Sequence, residues 1–469
     1  MINRTLAQIA SMSGGTLAES DGADTKITGI YTDSRNPLKG GLFVPIAGER
    51  FDGHAFADNC IAEGAGAFFW QEDHGAPPAG PAILVRDTLK ALQQLAAAYL
   101  KETRAYVVGI TGSNGKTTTK DIVAALLSTT FRVHKTQGNY NNHIGLPLTV
   151  LSMPEETQIA ILEMGMSGRE EIRLLSRIAQ PDVAVITNIG EAHLLQLGSR
   201  EEIARAKLEI ISGLKPGGLL ICNGDEPLLP SVLAEPETER PEEMKIFTFG
   251  LLQDNDDYPT EMTTHDKGII FTTKKSGAEA FDLPLLGRHN VVNCLAAMAV
   301  ARQLGVGMEQ MRQGLAGLKL TGMRIEMILC DNGLTLLNDT YNASPLSMKA
   351  AIDTLGGYSP KNRKIAVLGD MLELGAGEEQ YHREIGRYAA AAGVDLLFTY
   401  GPLGSHIAEG AREQMAQGSV HAFSDKDELV TALREELCSG DVVLLKASRG
   451  MKLETVVDAL KEANPLQNG

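Results

Sequence analysis

Gly109-Ile-Thr-Gly-Ser-Asn-Gly-Lys-Thr-Thr-Thr-Lys120 is the stretch that decides the fold. Before it stands Ala105-Tyr-Val-Val-Gly-Ile110, short, apolar and β-branched, which predicts a buried strand. After it, Ile122, Val123, Leu126 and Leu127 recur at helical spacing within 118–130. A strand, a glycine-rich turn and a helix make the setting of a phosphate-binding loop. Backbone N–H groups of the turn and the N-terminus of the helix hold phosphate oxygens. Lys116 is placed to reach the terminal phosphates, and the Thr117 hydroxyl to bind a magnesium ion. The standard pattern has a glycine where this chain has Ile110; the glycines here are Gly109, Gly112 and Gly115, so the loop is a variant.

Outward from the loop the chain alternates strands and helices. Ile159-Ala-Ile-Leu162 is an unbroken apolar run closed by Glu163, and Val183-Ala-Val-Ile186 leads into Thr187-Asn-Ile-Gly-Glu-Ala-His193. Leu219-Leu-Ile-Cys222 leads into Asn223-Gly-Asp225. Apolar strands without alternation are buried on both faces, as in a parallel sheet. Ligands of such sheets sit at the carboxyl ends of the strands, so Thr117, Glu163 and His193 are expected on one edge. The polar stretch 235–281 reads as meandering strands, and Gly287-Arg-His-Asn-Val-Val-Asn293 opens a helix reaching about Gln303.

The flanks carry their own α/β rhythm. Residues 1–103 read as a first unit, with strands at 42–46, 67–70 and 82–85 and helices at 53–64 and 89–100. Its polar loops are Thr32-Asp-Ser-Arg35 and Gly48-Glu-Arg-Phe-Asp-Gly53, and 101–104 reads as a linker. The central unit spans 104–321 and the third 322–469, with strands at 335–338, 364–368, 396–400 and 442–445 and helices such as 347–355 and 378–392. The fold class expected is three α/β domains, the central one a P-loop-type, mostly parallel sheet and the C-terminal one Rossmann-like.

Composition narrows the function. A chain of 469 residues, 43% hydrophobic, is long enough for several full cores. A net charge of −16 argues against nucleic acid or an anionic membrane as the main partner, yet leaves room for an anionic nucleotide held locally. The five cysteines are scattered without CxxC pairs, as reduced thiols of a cytoplasmic protein would be. Met1-Ile-Asn-Arg-Thr-Leu6 lacks the apolar region of a signal peptide, and no apolar run approaches the ~18 residues of a membrane span. A cytoplasmic monomer without membrane insertion is expected.

Several positions could carry chemistry. Glu163, closing a buried strand beside the loop, suits Mg²⁺, directly or through water, or else a salt bridge. His193 is open between a ligand for a second Mg²⁺, an orienting group and a structural role. In Glu201-Glu-Ile-Ala-Arg-Ala-Lys-Leu-Glu-Ile-Ile-Ser-Gly-Leu214 the apolar stripe runs through Ala204, Leu208 and Ile211, and Lys207 points along it. Burial would lower its pKa and free an amine able to add carbon dioxide as a magnesium-binding carbamate; a snorkelling stem with an exposed head fits as well. In the third unit, Asn338-Asp-Thr-Tyr-Asn-Ala-Ser-Pro345, Gly369-Asp-Met-Leu-Glu-Leu-Gly375 and Lys446-Ala-Ser-Arg-Gly450 each follow an apolar strand. Three polar strand ends predict a second ligand-facing edge, opposed to the first across a cleft.

Thr111-Gly-Ser-Asn-Gly-Lys-Thr117, Leu162-Glu-Met-Gly165, Glu191-Ala-His193, Gly287-Arg-His-Asn290 with Asn293, and Asp339-Thr-Tyr-Asn342 follow the motif order of the Mur ligase family, which the chain resembles along nearly its whole length. The resemblance implies domains for a UDP-sugar, for ATP and for an incoming amino compound, in that order. It implies uridine contacts at Ser34, Arg35 and Gly48, and muropeptide contacts at Asn139, Asn141 and Asn142. ATP would be held by Thr111, Gly112, Ser113, Asn114, Gly115, Lys116, Thr117 and Thr118, and by His289, Asn290, Asn293, Arg324, Asp339, Tyr341 and Asn342. Mg²⁺ would be held by Thr117, Glu163, His193 and a carbamylated Lys207, and catalysis would fall to Lys116, Glu163, His193, Lys207 and Asp339. The third-domain motifs are similar to those of the member whose substrates are UDP-N-acetylmuramoyl-tripeptide and D-alanyl-D-alanine. The Asp-Asn-Pro-Arg tetrapeptide usual in the enzyme adding the third residue is absent, and Thr321-Gly-Met-Arg324 stands, one residue longer, where the family usually has proline-glycine-arginine. Rival readings are another amide ligase of this fold, such as a folylpolyglutamate synthase, and an ATP-driven switch protein; the Asp-Ser-Arg first domain argues against the folate enzyme.

Overall fold

In the computed structural model the apolar runs of the middle of the chain become one six-stranded sheet. The residues described are 1–19, 22–48, 51–265, 267–322, 326–358 and 362–462. The central strands lie in the order Lys245–Phe249, Leu219–Asn223, Val183–Ile186, Tyr106–Thr111, Ile159–Glu163, Val133–Lys135, and all pairs are parallel. Successive residues of one strand feed different cores, which is why no alternation is visible in the sequence. Val107, Ala160, Leu162, Ala184 and Ile186 face one core, while Val108, Ile110, Ile161 and Val185 face the other with Ile122 and Leu126 of the helix Lys116–Leu127. Tyr106–Thr111 has Ile159–Glu163 on one side and the later Val183–Ile186 on the other. The direction of winding reverses there, and the crevice outside such a reversal is where open α/β sheets bind ligands.

The strand Lys245–Phe249 was expected to meander with 235–281; it pairs instead in parallel with Leu219–Asn223 as the sixth strand. Its start is wet, with the successive residues Lys245 and Ile246 both exposed, so a polar edge strand imitates a meander. The rest of that stretch is an antiparallel sheet of Pro259–His265, Gly268–Thr273 and Phe281–Leu283, whose Ile269, Phe271, Phe281 and Leu283 close the second core.

In the first unit, Thr16–Leu17, Ala82–Val85, Ala67–Gln71, Leu42–Phe43 and Ile30–Tyr31 form one sheet, parallel except at the Thr16–Leu17 edge. The expected linker at 101–104 is the end of the helix Thr88–Thr103. Its stripe of Leu92, Leu95, Ala96, Tyr99 and Leu100 is buried, which carries the polar last turn along as helix, and Arg104 closes it in the left-handed region at φ 54.

The third sheet runs Glu326–Leu329, Thr335–Asp339, Val442–Lys446, Lys364–Gly369, Leu396–Tyr400, Val420–Phe423, antiparallel only at the first pair. Its register sets Asp339 beside Lys446 at adjoining strand tips. Among the described residues no helix is long and apolar enough to cross a membrane, and all five cysteines are free.

Candidate active site

The loop after Tyr106–Thr111 is shaped by its glycines. Gly112 has φ 147 and Gly115, the cap of the helix Lys116–Leu127, has φ 78. A Cβ at Gly112 would strike the Thr187 hydroxyl, and one at Gly115 the Asn293 side chain. These two glycines admit neighbouring chains to contact the loop backbone. The neighbours then brace it: Asn114 N–H donates to Asn188 Oδ1 at 2.9 Å, Ser113 N–H to Asn188 O at 3.1 Å, and the Thr187 hydroxyl and Asn188 Nδ2 donate to Asn114 O at 2.5 and 3.0 Å. Gly190 N–H donates to Ser113 Oγ at 2.8 Å. Lys116 Nζ bends over the loop and donates to Gly112 O at 2.8 Å. Thr111 lies in the strand, its hydroxyl donating to Met164 O at 2.9 Å, and Thr118 reaches the cleft one residue past Thr117.

Thr117 Oγ1 donates to Glu163 Oε2 at 2.8 Å, and Asn141 Nδ2 donates to Glu163 Oε1 at 2.8 Å. Glu163 is 2% exposed, so two hard oxygen donors lie side by side beneath the loop. Asn141 N–H and Asn139 O meet at 2.7 Å, and Asn142 Oδ1 accepts from Gly145 N–H at 2.8 Å, where the helix Gly145–Leu151 begins. Lys207 is 1% exposed on the helix Arg200–Leu208. Desolvation, and behind it the charge of Lys116, push its amine well below the usual lysine value. His193 caps the short helix Leu194–Leu197 at φ 67, and its Nδ1 lies 2.9 Å from Glu373 Oε2. Burial and then Lys207 lower its pKa, which favours the neutral imidazole.

Across the cleft stand the tips of the third sheet. Lys446 Nζ donates to Asp339 Oδ2 at 2.5 Å and to Asn342 O at 2.8 Å, its head almost wholly buried. Arg449 lies 5.9 Å from the Tyr341 ring centre. His289, second residue of the helix Arg288–Gln303, is pressed down to about 4 by burial and then by the charge of Lys446. On the same helix Asn290 Nδ2 donates to Leu286 O at 2.8 Å, and Asn293 Nδ2 to Asn290 Oδ1 at 3.3 Å. One cavity of about 1330 Å³ joins the two rims; Lys116, Asn141, Glu163, His193, Asp339 and Lys446 all line it.

The chain matches three family models in succession: Mur ligase family, catalytic domain, over 26–100; Mur ligase middle domain over 110–301; and Mur ligase, glutamate ligase domain, over 323–449. This chain belongs to the Mur ligase family. The UDP-N-acetylmuramoyl-tripeptide–D-alanyl-D-alanine ligase of Bacillus subtilis is 51% identical to this Mur ligase over 465 residues, 99% of each chain. The crystal structure of MurF from Acinetobacter baumannii matches it with TM-score 0.89 at 31% identity, covering 99% of this chain and 100% of that one. The MurF ligase of Thermotoga maritima, solved in complex with ADP, matches with TM-score 0.81 at 30% identity, over 92% of this chain and 97% of that one.

Not every candidate position reaches the Mur ligase cleft. Ser34, Arg35 and Gly48 lie in the first unit outside its lining; Arg35 folds onto Asp33, Nε to Oδ1 at 2.8 Å, and Gly48 N–H donates to Phe51 O at 2.9 Å. Arg324 lies outside the described residues. Sequence reasoning passed over Thr187, Asn188 and Lys446 as site residues. Thr187 and Asn188 sit on the polar tail leading to His193, and Lys446 opens a strand-end motif, so position at a strand tip was the available signal. Their partners depend on register, which the sequence does not display.

Proposed function

We propose that this Mur ligase joins D-alanyl-D-alanine to UDP-N-acetylmuramoyl-tripeptide at the expense of ATP, passing through an acyl phosphate, in peptidoglycan synthesis. The observation that carries the proposal is a single cleft with a phosphate loop on one rim and the Asp339–Lys446 tips on the other. The full-length identity with the Bacillus subtilis ligase supports the choice of substrates. We place the unit boundaries at 103/104 and 321/322, and the enzyme in the cytoplasm, in keeping with its free thiols.

The tripeptide carboxylate attacks the γ-phosphorus of ATP, whose bond to the bridging oxygen breaks to release ADP; the amine of the dipeptide then attacks the acyl carbon of the acyl phosphate, losing a proton and releasing phosphate. Carboxylate and triphosphate repel each other, so the protein must offset negative charge as it moves onto the transferring group. The loop N–H groups and Lys116 face those phosphates. The Thr117 hydroxyl and the Glu163 carboxylate, already in contact, suit the hard-oxygen preference of Mg²⁺, and His193 with a carbamylated Lys207 completes the donor set. Bound there, Mg²⁺ neutralises phosphate charge. Lys207 fits that modification because its amine is buried and driven toward the neutral, nucleophilic form. Asn139, Asn141 and Asn142 orient the muropeptide carboxylate beside Glu163, and Ser34, Arg35 and Gly48 receive the uridine end from the first unit. From the opposite rim, His289, Asn290, Asn293, Asp339, Tyr341 and Asn342 enclose the nucleotide, with Lys446 holding Asp339 in place.

Phosphate release measured with ATP and each substrate alone, then both together, tests the proposal: a ligase releases phosphate only with both, whereas a switch protein does so without the pair. Lys116→Ala is expected to lower that release by at least about a hundredfold, the scale of one lost transition-state donor. Normal turnover in this variant would refute the loop assignment.

A further inference from the structure

The motif Gly369-Asp-Met-Leu-Glu-Leu-Gly375 lies at a strand tip of the third sheet, yet it does not line the cleft. Its Glu373 reaches the central unit instead. The carboxylate Oε2 lies 2.9 Å from His193 Nδ1, and the backbone O of the same residue accepts from Leu195 N–H at 3.1 Å. The helix Leu194–Leu197 has no side-chain cap of its own, so Glu373 satisfies one of its orphan donors from another unit. Both residues sit in the left-handed region, His193 at φ 67 and Glu373 at φ 66, where a side chain persists only when its surroundings hold it. Beside them, a Cβ on Gly375 would touch Leu195, so the two chains pack closely at this point.

The geometry points to Glu373 as a positioning residue for the metal site: the third unit, when docked, holds the His193 ring by its Nδ1 edge and leaves Nε2 to bind Mg²⁺. A carboxylate on the second nitrogen of a ligating histidine fixes the tautomer and the direction of the free lone pair, and raises its basicity. In most metal sites that partner belongs to the same rigid body as the ligand. Here it arrives with a different sheet, so docking of the third unit and the strength of the metal site are linked, and by reciprocity metal binding favours docking. Glu373 is half exposed, so the pair adds little to stability, and its value lies in orientation. The inference rests on His193 as a metal ligand in the function proposed above.

Mn²⁺ titrated into the full-length enzyme with a non-hydrolysable ATP analogue, with free Mn²⁺ read by electron paramagnetic resonance, tests it without any turnover. Glu373→Ala is expected to weaken Mn²⁺ binding about tenfold or more, the usual cost of losing such a partner. Glu373→Gln, whose amide oxygen still accepts the Nδ1 proton, is expected to lose less, and it carries the test if the alanine variant folds poorly. In a His193→Ala background the Glu373 substitutions are expected to have no further effect. If His193→Ala weakens Mn²⁺ and Glu373→Ala does not, or if the Glu373 loss persists in full without His193, the positioning role is overturned while the metal assignment stands. If His193→Ala binds Mn²⁺ as the wild type does, both fall.

Discussion

Asp52 takes three donors at once: the His54 N–H at 2.9 Å and its ring Nδ1 at 2.7 Å on Oδ1, and His74 Nε2 at 2.8 Å on Oδ2. The two rings stack 3.9 Å apart. Desolvation alone would raise the Asp52 pKa, but these donors outweigh it and bring it from 3.8 to about 2. His74 moves the other way, raised from 6.5 by its hydrogen bonds to Asp52 and Asp73. The Asp52 contribution to stability is therefore present above pH 3.8 and lost as pH falls toward about 2; that of His74 is full below pH 6.5 and lost as pH rises through its folded value. Thermal midpoints of wild type and His74→Ala are expected to differ more at about pH 5.5 than at about pH 8.5. A gap that does not change with pH would contradict this. At this scale the sequence was legible where one residue type answers one demand. Glycine at 112 and 115 announces positive φ and close approach, and Lys116-Thr117 announces the turn into the helix, with Thr117 set beside Glu163. Lys446 was less so, because its meaning comes from standing beside Asp339, more than a hundred residues away.

The helix Lys116–Leu127 does more than close the glycine loop. Its Asp121, 2% exposed, receives Lys135 Nζ at 2.6 Å, lies 3.5 Å from the fully buried Lys120 Nζ, and accepts the Thr321 N–H at 2.8 Å. Lys120 in turn donates to Thr136 O at 2.9 Å. Removing one member of a buried ion cluster strands the others, at a cost of about 3–5 kcal/mol. Asp121→Ala is expected to lose about that much in denaturant unfolding; a change under about 1 kcal/mol would mean that water reaches Lys120 and Lys135. Elements with strong apolar runs were legible almost to their ends, as at Ile159–Glu163 and Leu396–Tyr400. Those set by tertiary contact were not: Lys245–Phe249 is a strand because a neighbour offers it a ladder, and the last turn of Thr88–Thr103 is helix because the turns before it are buried.

The molecule as a whole brings two sheets tip to tip. Besides the Glu373 contacts, Ser344 Oγ donates to Asn114 Oδ1 at 3.2 Å, so a residue of the phosphate loop touches the third unit directly. An acyl phosphate survives only where water is kept out, and a cleft walled by two units can shut it out when they close. Adding magnesium and a non-hydrolysable ATP analogue is expected to slow hydrogen exchange at 109–120 and at 338–345 together. Slowing at the first segment alone would mean that the rims act independently. Of the three polar motifs expected to face the cleft, those beginning at Asn338 and Lys446 bring residues to it, while 369–375 does not and meets His193 and Leu195 instead; which motif met which was not legible, because docking is decided by shape.

The bond from Thr321 N–H to Asp121 has a mechanical meaning. It pins the chain, two residues before the third unit's family match begins, to the same rod whose N-terminal end closes the glycine loop. On the function proposed above, a swing of the third unit would be referred to a pivot on the very helix that meets the nucleotide, so hinge and cargo would share one frame.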